Sequence, residues 1–122
     1  MSNTKTLTEA DLRQFTGTET WFRHGLNRSI LYTEGAQFVA EHGGAYWLLD
    51  AIALAQLSEK AVKAEPFQVW ALNVHENRTA AFTCEDGNGK TVYSQEIEFT
   101  DFPLPQIKLW FTDNTILLPS EY

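Results

Sequence analysis

The chain has 122 residues, of which 43% are hydrophobic and 20% charged, with a net charge of −7 and a pI of about 4.8. That balance supports a packed core, excludes a disordered chain, and at this length fits one domain, 1–122. With no Lys/Arg cluster and an acidic surface, direct nucleic-acid binding and binding to anionic membranes are both disfavoured.

Chain order begins with a short helix. Thr8 is an N-cap, with Asp11 three residues later in a capping-box position and Leu7 and Leu12 at the two hydrophobic staple positions. Phe15 adds an apolar contact before Thr16-Gly17 stops the helix. Two short extended segments follow, Thr20–His24 and Ser29–Tyr32, with Gly25–Arg28 as the turn between them. Thr33 caps a second helix over Glu34–His42, with Gly43 as its C′ residue.

A third helix is expected from about Ala45 to Lys60, either separate or as the continuation of one helix kinked at the glycine pair. The run HGGAYWLLDAIALAQL (His42–Leu57) is almost wholly apolar and contains one charge, Asp50. Such a helix is expected to be buried on every side, and so to form the centre of the fold. Pro66 ends the helical region, because it pushes Glu65 out of the α conformation.

From Phe67 the pattern turns to strands. FQVWALNV has apolar residues on both faces, as a central strand does. His75–Arg78 is a turn, and Ala80, Phe82 and Cys84 alternate on one side of the next strand. Asp86-Gly87-Asn88-Gly89 is the strongest turn signal in the chain. Lys90–Phe99 follows, with Tyr93, Ile97 and Phe99 on one face. A proline-bearing connection, Thr100–Pro105, leads to Ile107–Phe111, and Asp113-Asn114 turns the chain into Thr115–Leu118. Helices first and strands afterwards indicate an α+β domain, with N-terminal helices packed on one face of an antiparallel meander of about five strands.

Chemistry is sparse. His24, His42 and His75 are widely separated and lie in no HExxH or CxxC context, so no structural metal is expected. Asp86–Lys90 lacks the later ligands of a calcium loop and reads as a hairpin turn. Cys84 is the only cysteine, which excludes an intrachain disulfide. His75 is the candidate to activate it, but the alternation with Ala80 and Phe82 makes a buried, inert thiol the better reading. Asp50 needs a partner or solvent. Arg23, His24 and Arg28 are candidate partners, and a structural hydrogen bond is weighed against a pocket carboxylate. The aromatic residues around it are core or pocket lining; the pocket candidates are Trp21, His24, Trp47 and Asp50.

The N-terminus, MSNTKTLTEADLRQF, lacks the apolar core of a signal peptide, and the run around Asp50 is too short to span a membrane. A soluble cytoplasmic protein is the expectation. Trp110 lies opposite Leu109 and Phe111 on its strand and needs a cover. A homodimer through the C-terminal strands and a cover by the segment around Phe15 and Trp21 are equally good solutions.

The segments Phe15–His24, Tyr32–Ala53, Phe67–Trp70, Asp86–Gly89 and Thr100–Tyr122 together resemble a family of small uncharacterised bacterial proteins, a domain of unknown function also found on plasmids and phages. The resemblance implies one domain and a bacterial cytoplasmic setting. It brings no catalytic residues, cofactor or substrate. The expected function is a non-enzymatic protein–protein interaction module acting on an unknown protein partner, with a homodimer as one form and a mobile element as one setting. No cofactor is expected. The alternative is a small-molecule-binding protein or enzyme with a pocket near Trp47 and Asp50.

Overall fold

The structure is a computed structural model and describes residues 7–122. Helix α1 (Glu9–Arg13) starts at the expected capping box. The Thr8 hydroxyl accepts from the Asp11 amide at 3.2 Å, and the Asp11 carboxylate accepts from the Thr8 amide at 3.0 Å. Leu7 is buried and Leu12 packs beside the core, as a staple requires.

Helix α2 (Glu34–Gly43) is capped by Thr33, whose hydroxyl accepts from the Ala36 amide at 3.2 Å. The left-handed C-terminal residue is Gly44 (φ 61°), not Gly43. Gly43 stays helical, and its missing side chain makes room for Phe102. A Cβ there would lie 2.7 Å from the Phe102 ring. The glycine pair therefore separates two helices. Helix α3 covers Tyr46–Ser58, and extended backbone at Glu59 divides it from the short α4 (Lys60–Lys63).

Among the described residues the strands are β1 (Trp21–Arg23), β2 (Leu31–Thr33), β3 (Phe67–Val74), β4 (Ala80–Asp86), β5 (Thr91–Ile97), β6 (Gln106–Thr112) and β7 (Thr115–Leu117). They form one mixed sheet in the order β1-β2-β7-β6-β3-β4-β5. The class is α+β, but the five-strand antiparallel meander is corrected on two points. The segment after β5 carries the chain back across the sheet, so that β6 pairs with β3 on the side away from β4. A strand that is apolar on both faces is thus paired on both edges. Moreover, β1 and β2 join the sheet, and β2 lies parallel to β7 with Leu31 opposite Thr115 and Tyr32 opposite Ile116.

One face of the sheet is buried under the helices. Gln68, Trp70 and Leu72 of β3, Ala80, Phe82 and Cys84 of β4, and Ile107, Leu109 and Phe111 of β6 all point there. They meet Val39 and Ala40 of α2 and Leu48, Leu49 and Ile52 of α3. Phe99, expected on one face of β5 with Tyr93 and Ile97, lies past the strand's end and is exposed.

Two further expectations fail. Helix α3 is not buried all round: Tyr46, Leu54 and Leu57 are exposed, Leu57 by 67%. The covering layer is one helix thick, so α3 must turn one side to water. Trp110 is covered within the chain, but not by Phe15 and Trp21. Its ring packs edge-on against Phe67 at 5.0 Å and Tyr122 at 5.4 Å, because the turn Pro119–Glu121 brings Tyr122 over the outer sheet face.

Candidate functional site

His24 and Asp50, read from sequence as neighbours in one pocket, do meet. His24 follows β1, and the β1–β2 loop folds over the outer side of α3. The backbone closes this loop with His24 N–H to Ile30 O at 2.9 Å and Ile30 N–H to Asn27 O at 3.0 Å. Two side chains then fasten it to α3. His24 Nε2 lies 2.8 Å from Asp50 Oδ1, and Asn27 Nδ2 donates to Ala53 O at 2.9 Å.

The histidine is fixed in one tautomer. Its Nδ1 accepts from the Leu26 and Asn27 amides at 3.2 and 3.0 Å, so that nitrogen carries no proton. The proton is on Nε2, which donates to Asp50. Both ring nitrogens are occupied and His24 is only 4% exposed, so it has no lone pair to offer a substrate. Asp50 is 51% exposed, so its carboxylate remains open to solvent. Of the other two candidate partners, Arg23 donates to the Arg28 carbonyl instead.

A recess of about 360 Å³ lies over this pair, bounded by Leu26, Tyr32, Tyr46 and Leu49. The Tyr46 hydroxyl donates to Glu41 at 3.0 Å, and burial together with that carboxylate raises its pKa above the ordinary 10.0. The recess is therefore mostly apolar, with one accessible carboxylate.

The two tryptophans are placed elsewhere. Trp47 meets Phe82 edge-on at 6.3 Å and borders a separate recess with Ile97 and Phe99. Trp21 stands 52% exposed on β1 and lines neither recess. Cys84 and His75 are not brought together. Cys84 sits opposite Trp70, and His75 lies five residues further along, beyond the Val74–Ala80 pair that ends the ladder. Burial, with Glu65, Glu85 and Asp86 nearby, pushes the thiol up to about 12.

Sequence reasoning missed two polar devices. The Glu121 carboxylate reaches the start of α2, and Gln56 and Gln68 form a buried amide pair under α3. The isolated polar residues in apolar surroundings at 56 and 68 were the available signal for the pair. Among the described residues, no group of three or more His, Cys, Asp and Glu side chains is placed to hold a metal ion, and no helix is long and apolar enough to cross a membrane.

Residues 6–122 match the model of DUF6876, a family of unknown function, and the chain belongs to that family. No curated protein and no solved structure matches it.

Proposed function

We propose that the chain, 1–122, works as one non-enzymatic protein–protein interaction domain whose contact surface is the outward face of α3. The observation that carries this reading is an exposed apolar row. Tyr46, Leu54 and Leu57 are exposed on α3, and Asp50 falls in the row between them, at spacings of four, four and three residues. Leu26, 68% exposed, extends the row from the β1–β2 loop. A lone exposed leucine needs no explanation, whereas a row of them around one half-exposed carboxylate marks a contact surface.

The charge pattern says which partner suits it. A second copy related by a two-fold axis at the middle of the row would set Asp50 against Asp50, and both chains carry −7. A different protein that presents apolar anchors on either side of a Lys or Arg satisfies the row and its carboxylate together. A homodimer through β6 and β7 loses its motive, since Phe67 and Tyr122 cover Trp110.

A photo-crosslinking phenylalanine analogue at position 57, with position 96 on β5 as control, tests the proposal in cells. A discrete heterologous adduct from 57, absent from 96 and abolished by Asp50→Lys, is expected. Equal adducts from both positions would overturn it. A dimer by light scattering that Leu57→Glu dissociates would also overturn it, and would put a second copy in the partner's place.

The second reading is a small-molecule binder or enzyme using the recess at His24 and Asp50. The accessible Asp50 carboxylate favours it, and the occupied nitrogens of His24 count against acid–base chemistry there. A bacterial, cytoplasmic setting on a mobile element is proposed on the sequence resemblance alone. The genes flanking the coding sequence would test it.

A further inference from the structure

At the C-terminal end of α3, on the side toward the β6–β7 turn, a third recess of about 350 Å³ enters the molecule. Its floor holds three carboxamides, Asn27, Gln56 and Gln68, which are 6%, 8% and 1% exposed. Gln68 is fully used. Its Oε1 accepts from Gln56 Nε2 at 2.8 Å and Trp70 Nε1 at 2.9 Å, while its Nε2 donates to Gln56 Oε1 at 3.0 Å and Val62 O at 2.8 Å. Gln56 spends both its N–H groups, on Gln68 and on Ile52 O. Two capacities remain on the floor: one N–H of Asn27, and one lone pair of Gln56 Oε1.

The lining also carries both signs of charge. Lys63, Glu65 and Asp113 border the recess, and among the described residues none of these three side chains makes an ion pair or a hydrogen bond. Leu57, Pro66 and Phe111 complete it with apolar surface. A singly charged ligand would be attracted by one part of this lining and repelled by another. A molecule with both charges a few bonds apart meets neither repulsion.

We infer that this recess binds a small zwitterion of the α-amino-acid class. The carboxylate is received by Lys63 and the spare Asn27 N–H. The ammonium is received by Glu65, Asp113 and the spare lone pair of Gln56. The side chain lies against Leu57, Pro66 and Phe111. The recess shares Leu57 with the contact surface on α3, so its test uses Lys63 and Asp113, which lie outside that row.

The test uses the full ¹⁵N-labelled chain and three probes, L-serine, L-leucine and L-phenylalanine. Their single-charge counterparts for leucine are 4-methylpentanoate, which lacks the ammonium, and 3-methylbutylamine, which lacks the carboxylate. Saturable shifts of the Asn27 and Gln56 side-chain amide signals are expected with at least one amino acid at millimolar concentration. For leucine as the binder, each counterpart should bind at least about tenfold more weakly. Lys63→Ala and Asp113→Asn should each weaken binding about tenfold. Lys63 and Asp113 are exposed, and Asn tolerates the left-handed backbone of position 113 (φ 51°), so both variants keep the fold. If none of the three amino acids moves those signals, or if a single-charge counterpart binds as tightly as its parent, the inference is overturned.

Discussion

The Glu121 carboxylate accepts a hydrogen bond from the Thr33 hydroxyl at 2.6 Å, tying residues 88 positions apart. The same carboxylate also accepts from the Gly35 amide at 3.0 Å and the Leu118 amide at 2.9 Å. Thr33 caps α2, so Glu121 completes that cap from the other end of the described chain. A carboxylate at a helix N-terminus also lies at the favourable end of the helix dipole.

Removing that carboxylate leaves two backbone amides and a buried threonine hydroxyl without their acceptor. Glu121→Ala is expected to cost about 1–3 kcal/mol, and Glu121→Gln less, because an amide oxygen still accepts. Urea denaturation midpoints of the two variants check this. Equal midpoints for Glu121→Ala and the wild type would contradict it.

The two sides of α3 should respond differently to truncation. Leu49 and Ile52 are buried to 1% and 0% exposure and face the sheet, so alanine at either should cost about 2–5 kcal/mol. Leu57→Ala should change stability by less than about 0.5 kcal/mol, as for other surface positions. A large loss at Leu57 and none at Ile52 would mean that the helix is rotated from the orientation described.

Much of this architecture is legible in the sequence wherever the interaction is local. Thr8 with Asp11, Thr33 before α2 and the turn after Asp86 are each specified within a few residues. The apolar residues on both faces of β3 correctly place it inside the sheet. What local patterns cannot specify is which three-residue strand lies beside which. Leu31 and Tyr32 pair with Thr115 and Ile116 across more than eighty residues, and nothing in either segment names the other. The same limit applies at the site. Arg23, His24 and Arg28 are all candidates for Asp50 in the sequence, and the fold of the β1–β2 loop selects His24 while Arg23 turns to Arg28. The outward face of α3 was hidden for a different reason. An apolar helix reads the same in sequence whether its last side meets protein in the same chain or a partner.

His24 and Asp50 are expected to be unequal in stability. His24→Ala removes the acceptor for two amides in the loop as well as the donor to Asp50, and should cost about 1–3 kcal/mol. Asp50→Asn keeps an oxygen for His24 Nε2 on a half-exposed side chain, so its cost should stay under about 1 kcal/mol. Hydrogen exchange at the Asn27 and Ile30 amides gives a second readout. Faster exchange in His24→Ala, but not in Asp50→Asn, is expected. If Asp50→Asn loosened the loop as much, the charge on Asp50 would be essential to the docking.

The β4–β5 turn gives a pH dependence at the acid end. Asp86 Oδ1 accepts from the Lys90 amide at 2.9 Å and the Asn88 amide at 2.8 Å, and these donors hold its carboxyl below the ordinary 3.8. The folded value is the lower one. The stabilisation is therefore present above the unfolded value and is lost as pH falls through the folded value. Between neutrality and about pH 3 the wild type should lose more stability than Asp86→Asn, whose amide does not titrate. Parallel losses in the two proteins would remove Asp86 as a contributor.

Cys84 gives the opposite sign at the alkaline end. It is fully buried on β4, opposite Trp70 and Tyr93, and burial first, then the neighbouring carboxylates, pushes its thiol from 9.0 to about 12. Above pH 9.0 the unfolded chain loses this proton while the folded chain keeps it. The unfolded state then binds fewer protons, so stability falls as pH rises from 9.0 toward about 12. Cys84→Ala removes this component but also leaves a small void, so the comparison rests on slope and not on absolute stability. The wild-type slope above pH 9.0 should be steeper than that of Cys84→Ala. The same depletion of thiolate makes the folded protein slow to react. Near pH 8 only about one thiol in ten thousand is ionised at such a value, so iodoacetamide should label the native chain far more slowly than the urea-unfolded one. Rapid labelling of the native protein would mean that Cys84 is neither buried nor shifted, and would return it to the candidates for chemistry.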